Sequence, residues 1–371
     1  VTLTSITDTV ANVTLVEDNA NISLLNSTIT VTDAASFANA TAINGFTNAQ
    51  VTLNKVQDEY GNIIKIDELT TSQVSMADAA VTVTGSINKS KVDDLRLTTT
   101  DKITVEDLTE DKTALTDIAG YTDVILSNTN ITVTDVVNKS EVDKINGYND
   151  AGGVVTVSSI TDIFSNISTV QGTTGISIGT ALITTTDAVT FANATDLNGF
   201  TNAQVTLNAV QDTVSNIQKI DALTTSQVSM AAAAVTVTDP ASLTDANAIN
   251  LMTEGKVTLN SVADNYANIQ SIKLISDSQV DMGAAAVLVT NNITKSEVDD
   301  LRTDTSGNIT LTSITEDKND LKSINDFSDV ILSTANITVE DNVSRSEADV
   351  IDGYNNTSGT VTLTSITDTV S

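Results

Sequence analysis

Acidic residues recur at one position of a repeating pattern and are the first candidates for chemistry. Each lies seven residues after a Val-Thr-Leu-like start, and Asn follows four residues later in most copies. The acidic residues are Asp8, Asp58, Glu110, Asp162, Asp212, Asp264, Glu316 and Asp368, and the Asn residues are Asn12, Asn62, Asn166, Asn216 and Asn268. Because Ca²⁺ takes carboxylate and amide oxygens as ligands, stacked copies could hold calcium. The interpretation we favour is a helix start, with the acid near the positive end of the helix dipole and Asn paired at i+4.

A second ladder consists of threonines that recur in two short strand-like motifs, VTL and VTV. The VTL set is Thr2, Thr52, Thr104, Thr156, Thr206, Thr258, Thr310 and Thr362, and the VTV set is Thr30, Thr82, Thr132, Thr184, Thr236 and Thr338, with Leu288 as the exception. A flat array of T-x-T motifs would resemble an ice-binding face. Alternation on a strand with one buried and one solvated face gives the same pattern, and we favour that interpretation.

The composition excludes many other sites. The chain has no His and no Cys, so disulfides, thiol nucleophiles, Ser-His-Asp triads and the usual zinc, copper and haem sites are excluded. The net charge of −31 argues against binding to nucleic acid or to anionic lipid. We therefore predict no catalytic residue, no cofactor site and no membrane insertion. Matches to N-x-[ST] at Asn12, Asn21, Asn26, Asn130, Asn166, Asn308 and Asn336 would accept glycans in a eukaryotic secreted protein, but many arise by chance in a chain rich in Asn, Ser and Thr.

An internal repeat must position these ladders. FANATAINGFTNAQVTLN at 37–54 returns as FANATDLNGFTNAQVTLN at 191–208. The smaller repeat is about 51 residues long, and its copies start at Val1, Val51, Ile103, Val155, Val205, Val257 and Ile309, with an eighth beginning at Val361. The spacing thus predicts seven repeats and the start of another.

Each repeat contains strand and helix patterns in a fixed order. In the repeat from Val51, a VTL strand is followed by Val56, Ile63 and Ile66, whose spacing predicts one face of a helix. Two short strands, SQVSM and VTVT, come next, and then a second helix begins. Ser140, Ser296 and Ser346 are predicted to cap such helices with Glu in the first turn, and Gly45, Gly147, Gly199 and Gly353 to end them in a left-handed conformation.

The repeat predicts an α/β fold, a repetitive solenoid of about seven repeats with stacked parallel strands and short helices, continuous over residues 1–371. Equivalent strands are expected to neighbour each other, and the spacing leaves open whether a repeat makes one coil or two. Seven independent domains are the alternative, disfavoured because the chain has one Pro and 16 Gly. VTLTSITDTV occurs at both 1–10 and 361–370, so we expect covalent continuation in a longer chain or head-to-tail self-association.

Stretches such as DANAINLMTEGKVTLNSVADNYANIQSI at 245–272 resemble repeats of very large, secreted or surface-associated bacterial proteins of marine bacteria, including cyanobacteria. The resemblance implies export, often by a one-step pathway that reads a C-terminal signal, and a role in surface layers, fibres or adhesion. Glycine- and aspartate-rich calcium nonapeptides, frequent in such proteins, are absent here. We expect a structural building block of an extracellular filament, sheath or surface layer, with the stalk or ligand-binding region of an adhesin as the alternative and ice binding as a third.

Overall fold

The computed structural model describes residues 1–69, 73–150, 152–223, 227–276, 279–356 and 358–367. The chain divides into two compact units, residues 1–182 and 183–371. Each unit by itself is a repetitive α/β solenoid, as predicted from the repeats. The prediction of one solenoid over residues 1–371 extends beyond either unit and stays a prediction.

The first unit contains strands that alternate with short helices. Its described strands are β1 (Ser5–Asp8), β2 (Thr28–Ala35), β3 (Val51–Glu59), β4 (Val74–Ser75), β5 (Ala80–Ile87), β6 (Ile103–Glu110), β7 (Val124–Ile125), β8 (Asn130–Val137), β9 (Val155–Asp162) and β10 (Ile176–Ser177). Its described helices are α1 (Val10–Glu17), α2 (Phe37–Asn44), α3 (Tyr60–Leu69), α4 (Lys89–Thr98), α5 (Lys112–Ala119), α6 (Lys139–Asn146) and α7 (Phe164–Gln171).

The second unit repeats this order. Its described strands are β11 (Leu182–Val189), β12 (Val205–Asp212), β13 (Val228–Ser229), β14 (Ala234–Ala241), β15 (Val257–Asp264), β16 (Val280–Asp281), β17 (Ala286–Ile293), β18 (Ile309–Glu316), β19 (Val330–Ile331), β20 (Asn336–Val343) and β21 (Val361–Ile366). Its described helices are α8 (Phe191–Phe200), α9 (Val214–Leu223), α10 (Leu243–Asn250), α11 (Tyr266–Ser276), α12 (Lys295–Asp304), α13 (Lys318–Asn325) and α14 (Arg345–Asp352).

One coil is a long strand, the helix after it and the loop to the next long strand. Consecutive long strands pair in parallel: β2 pairs with β3, β3 with β5, and β5 with β6. Each repeat of about 51 residues therefore makes two coils. The expectation that equivalent strands neighbour each other is wrong, because a VTL strand lies between two strands of the other type. The pairing of Val81 with Ile103 crosses a repeat boundary, which contradicts independent domains.

The two-residue strands explain how the two coil types fit together. Val51 and Thr52, at the start of β3, pair with Val74 and Ser75 of β4, whereas the second half of β3 pairs with the first half of β5. β5 is thus displaced by half a strand relative to β3, while β5 and β6 start level. The same step recurs at β6–β8 in the first unit and at β12–β14, β15–β17 and β18–β20 in the second.

Several helices begin at side-chain caps, but not at the predicted residues. The N-cap of α6 is Asn138, two residues before Ser140, and Glu141 completes a capping box with it. Thr294 and Ser344 replace Ser296 and Ser346 in the same way, so the predicted first-turn Glu is confirmed and the capping Ser is wrong. Gly45, Gly147 and Gly353 end their helices in the right-handed region with φ between −66° and −72°, and Gly199 lies inside α8, so the left-handed caps are also wrong.

The core is a layer of aliphatic side chains between the strands and the helices. Ile63 and Ile66 of α3 are fully buried. The residues at the position of Ile63 in the other six repeats are also fully buried: Val13, Leu115, Ile167, Ile217, Ile269 and Leu321. Val56 is buried too, but it belongs to β3 rather than to the helix, because the strand extends to Glu59. The three positions that the sequence analysis assigned to one helix face, those of Val56, Ile63 and Ile66, thus belong to a strand and to the helix after it.

Replacing Ile167 by Ala should destabilise the protein by about 2–5 kcal/mol, since the side chain is fully buried in α7. In a quasi-linear array the loss should fall mainly on α7 and the coils beside it. Chemical denaturation and hydrogen exchange measure both effects, with Leu15→Ala, at a side chain that is 67% exposed, as the control. Equal loss of amide protection in every coil would contradict the solenoid.

Candidate functional site

The acidic ladder forms contacts between successive coils. One oxygen of Asp58, near the end of β3, accepts a hydrogen bond at 2.9 Å from the backbone N–H of Phe37, the first residue of α2 in the preceding coil. The other oxygen accepts from the Glu59 N–H at 2.8 Å and from the Asn62 amide at 2.9 Å. We call this arrangement the strand-end clamp. It gives one of the orphan N–H groups at a helix start an acceptor of opposite charge.

The strand-end clamp recurs in both units. The other members join Glu110 to Lys89, Asp162 to Lys139, Asp212 to Phe191, Asp264 to Leu243 and Glu316 to Lys295, at 2.5–3.0 Å. The favoured pairing with Asn at i+4 is confirmed for Asp8, Asp58, Asp162, Asp212 and Asp264. Asp368 lies outside the described residues.

Several hydrogen bonds together lower the pKa of four of these carboxyls, although burial opposes them. Burial raises the pKa of Asp162, but the N–H groups of Lys139 and Ile163 and the Asn166 amide outweigh burial and hold the pKa below its ordinary value of 3.8. The same balance lowers the pKa of Asp58, Asp212 and Asp264. Since the folded state favours the charged form of these four aspartates, their clamps contribute stability that is present above the unfolded pKa and is lost as pH falls through the folded pKa.

A second set of clamps was missed in the sequence. A β-bulge in β2 falls between Val31 and Ala34, and there Asp33 accepts a hydrogen bond at 2.7 Å from the N–H of Val10, the first residue of α1. Bulges commonly re-aim side chains in this way. The other members of this bulge clamp join Asp135 to Lys112, Asp239 to Val214 and Asp341 to Lys318, at 2.7–3.0 Å. The Asp after VTVT was the available signal.

Two bulges lack a carboxylate, and a tyrosine accompanies both. The bulge position holds Gly85 in one coil, with φ of +77°, and Asn291 in another, whose oxygen accepts the Tyr266 N–H at 2.8 Å. The helices of the preceding coils, α3 and α11, begin with Tyr60 and Tyr266. The hydroxyls of these tyrosines donate to Asp94 of α4 and Asp300 of α12, the next helices in the chain. A side-chain link between neighbouring helices therefore accompanies each loss of charge.

Replacing Asp162 by Ala should lower stability at neutral pH by about 1–2 kcal/mol, because the N–H groups of Lys139 and Ile163 and the Asn166 amide lose their acceptor. Asp162→Asn keeps an acceptor but does not titrate, so its stability should fall less than that of the parent as pH drops below about 4. Urea denaturation between pH 7 and pH 2 measures both, with Asp117→Ala, at an exposed acid of α5, as the control. Identical acid dependence in Asp162→Asn and the parent would contradict the clamp.

Buried hydroxyls form another contact between coils. Thr253 donates to the backbone oxygen of Ala233 in the preceding coil at 2.7 Å, and its own oxygen accepts from the Gly255 N–H. Thr47, Thr99 and Thr305 make the same bond at 2.6–2.7 Å. A Cβ on Gly255 would lie 2.2 Å from the Ala233 oxygen, so a side chain here requires the backbone to shift. The coils of Thr47 and Thr99 carry Ala49 and Asp101 at this position and keep the same bond.

Gly255→Ala should therefore destabilise the protein by about 1–3 kcal/mol, since the backbone of one coil must move away from the next. Gly199→Ala is the matched control, because nothing lies within 4 Å of its added Cβ inside α8. That control should gain about 0.5–1 kcal/mol from helix propensity. Thermal and urea denaturation of the two variants compare them, and equal effects of the two changes would refute the close approach.

Arginine and an aromatic ring reinforce two of the coil contacts. The Arg96 guanidinium lies 3.8 Å from the centre of the Tyr121 ring, and its Nε donates to Asp123 at 2.8 Å. Arg302 repeats the arrangement with Phe327 at 3.7 Å and Asp329 at 2.8 Å. Hydrogen bonding to Arg96 lowers the pKa of Asp123, against a smaller effect of burial. These groups join α4 and α12 to the loops that follow the next helix, α5 and α13.

The favoured interpretation of the threonine ladder, alternation on a strand with one buried face, is confirmed, and the structure does not form the flat array of the ice-binding alternative. Thr30 lies directly opposite Thr52, and both are half-buried on the strand face opposite Val51 and Leu53. The half-strand step then moves the row, so that Thr82 lies opposite Gln57 rather than Thr52. In β2 the bulge between Val31 and Ala34 leaves Thr32 without a paired residue in β3. The described strands thus carry short rows of threonine instead of one flat lattice.

The acidic residues considered for calcium are used for backbone donors and for Asn. Within the described ranges, no group of three or more acidic side chains is placed to hold a metal ion. Among the N-x-[ST] residues, Asn12 and Asn166 donate to clamp carboxylates, and Asn130 donates to Asp107. No helix in the described part of the chain is long and apolar enough to cross a membrane.

Comparisons with family models, curated proteins and solved structures found no match to this chain.

Proposed function

We propose that this chain is a structural building block of an extracellular filament, sheath or surface layer, and that it extends by end-to-end continuation of its coils. Continuation takes place in a longer chain or between copies. The proposal assigns no catalytic role and no cofactor, and its partner is the same coil surface on another segment.

One observation carries the proposal: the contact between coils has a fixed direction, from helix N–H groups to acceptors of the next coil, and it recurs in both units with few exceptions. Towards the next coil, each coil presents the N–H of its first helical residue, as Phe37 does to Asp58. Towards the preceding coil, it presents a carboxylate and the opposite strand edge. Such a contact is heterologous, so it adds coils without closing unless the rotation forms a ring.

The proposed location is outside the cell or on its surface, as in a surface layer or an adhesin. Its support is the resemblance of the repeats to those of secreted or surface-associated bacterial proteins. Cell fractionation, together with the intact mass of the native protein compared with 38.7 kDa, tests the location and distinguishes continuation in a longer chain from assembly of copies.

Assembly of the purified chain should improve with ionic strength, because 48 acidic residues against 17 basic ones repel between copies. The screening length falls from about 30 Å at 0.01 M salt to about 10 Å at 0.1 M. Sedimentation and electron microscopy should show longer polymers over that range. Calcium and magnesium at matched ionic strength should act alike, because the clamp carboxylates are already hydrogen-bonded.

Isolated rods at every salt and protein concentration would contradict assembly of copies and would favour the stalk of an adhesin. A calcium effect that magnesium does not reproduce would show that the acidic ladder binds metal. If neither a chelator nor salt changes the length of the polymers, charge repulsion does not control assembly.

A further inference from the structure

A buried threonine interrupts a row of valines in the core. Thr185 of β11 is fully buried and lies directly opposite Leu207 of β12. In β14, the equivalent strand of the next repeat, Val237 is fully buried opposite Leu259. The same position holds a fully buried valine in the other long strands that carry a bulge: Val31, Val83, Val133, Val289 and Val339.

The hydroxyl of Thr185 is the only feature that separates this position from the others. Threonine and valine are both β-branched and differ by a hydroxyl in place of a methyl group. Among the described residues, no group forms a hydrogen bond with the Thr185 hydroxyl. A hydroxyl that leaves water without gaining a partner destabilises the folded state. The cost falls on residues 182–204, which we call the weak coil.

The helix of the weak coil adds a second cost. Gly199 lies inside α8, and glycine in a helix interior is unfavourable because it loses more backbone freedom than any other residue. At the equivalent position of α2 and α10, Gly45 and Leu251 follow the last helical residue instead. Both the strand and the helix of the weak coil therefore carry a residue that disfavours folding.

We infer that the weak coil is a built-in opening point, which unfolds reversibly before the equivalent coils that begin with β14 and β17. In a quasi-linear array, stability is a sum over coils and their nearest contacts, so a local cost makes local opening easier. The 23 opened residues can span up to about 75 Å, so the chain gains length here while the coil of β14 stays folded. This behaviour belongs to the single chain and does not depend on the proposed function.

Reciprocal substitutions in the full chain test the inference by hydrogen exchange. The probes are the amides of Ile183 and Val235, each of which donates to the loop before the next long strand. In the parent, Ile183 should exchange faster than Val235. Thr185→Val should slow Ile183 by about tenfold, equivalent to about 1.4 kcal/mol, and leave Val235 unchanged. Val237→Thr should make Val235 exchange about tenfold faster, and it should fold because the parent already tolerates this hydroxyl in β11.

A second measurement uses a chain that contains no cysteine. Ala194 of α8 and Ala246 of α10 are fully buried at equivalent positions, so Ala194→Cys and Ala246→Cys form a matched pair. A thiol reagent reaches either cysteine only when its coil opens. Ala194→Cys should react about tenfold faster than Ala246→Cys, and adding Thr185→Val should slow the first reaction without changing the second.

Two results would overturn the inference. The first is equal opening in the parent, with the two amides exchanging alike and the two cysteines reacting alike. The second is a Thr185→Val chain that opens as readily as the parent, because this would show that the hydroxyl has a partner, such as water, in the folded state.

Discussion

The structure depends on the need of each helix start for an acceptor. The helices are 8–11 residues long, too short to be stable alone in water, and their first N–H groups have no partner within the helix. At Phe37, Lys139 and Val214 the acceptor is a carboxylate that belongs to the next coil. A coil of this protein is therefore incomplete by itself, and stacking satisfies its backbone as well as its aliphatic face.

This requirement also accounts for part of the acidity of the chain. In most soluble domains carboxylates are balanced by Lys and Arg, but here many face the positive ends of helices, whose partial charge takes the place of a basic residue. Two coil types deliver the carboxylate differently: Asp58 lies near the end of its strand, whereas a bulge turns Asp33 towards α1. Where charge is missing, at Gly85 and Asn291, a tyrosine joins neighbouring helices instead. Within the described residues, ten of the chain's 48 acidic residues thus serve as clamps in the coil contact.

Much of the fold could be read from the sequence, because repetition shows which positions share an environment. The order of elements, the burial of Ile63 and Ile66 and the pairing of Asp58 with Asn62 all followed from spacing. The identity of the neighbouring strands did not follow from spacing, because the spacing of hydrophobic residues is the same whether a repeat forms one coil or two. The caps at Asn138 and Thr294 depend on where the strand ends, which hydrophobic spacing does not determine. The bulge clamps were missed because alternation describes a regular strand and gives no sign of an extra residue.

The direction of the clamps has a consequence for how such a chain is made. Translation releases the chain from its N-terminus, so the helix of each coil emerges before the carboxylate that binds its first N–H. The coil formed last is always the one that lacks its acceptor, and stabilisation follows synthesis one coil behind. Order should advance behind the ribosome as a moving front. For the helix that begins at Tyr60, the next bulge position holds Gly85 instead of an acid. This helix start therefore gains no carboxylate acceptor when the next coil forms, and the nascent chain gains least stability at this coil.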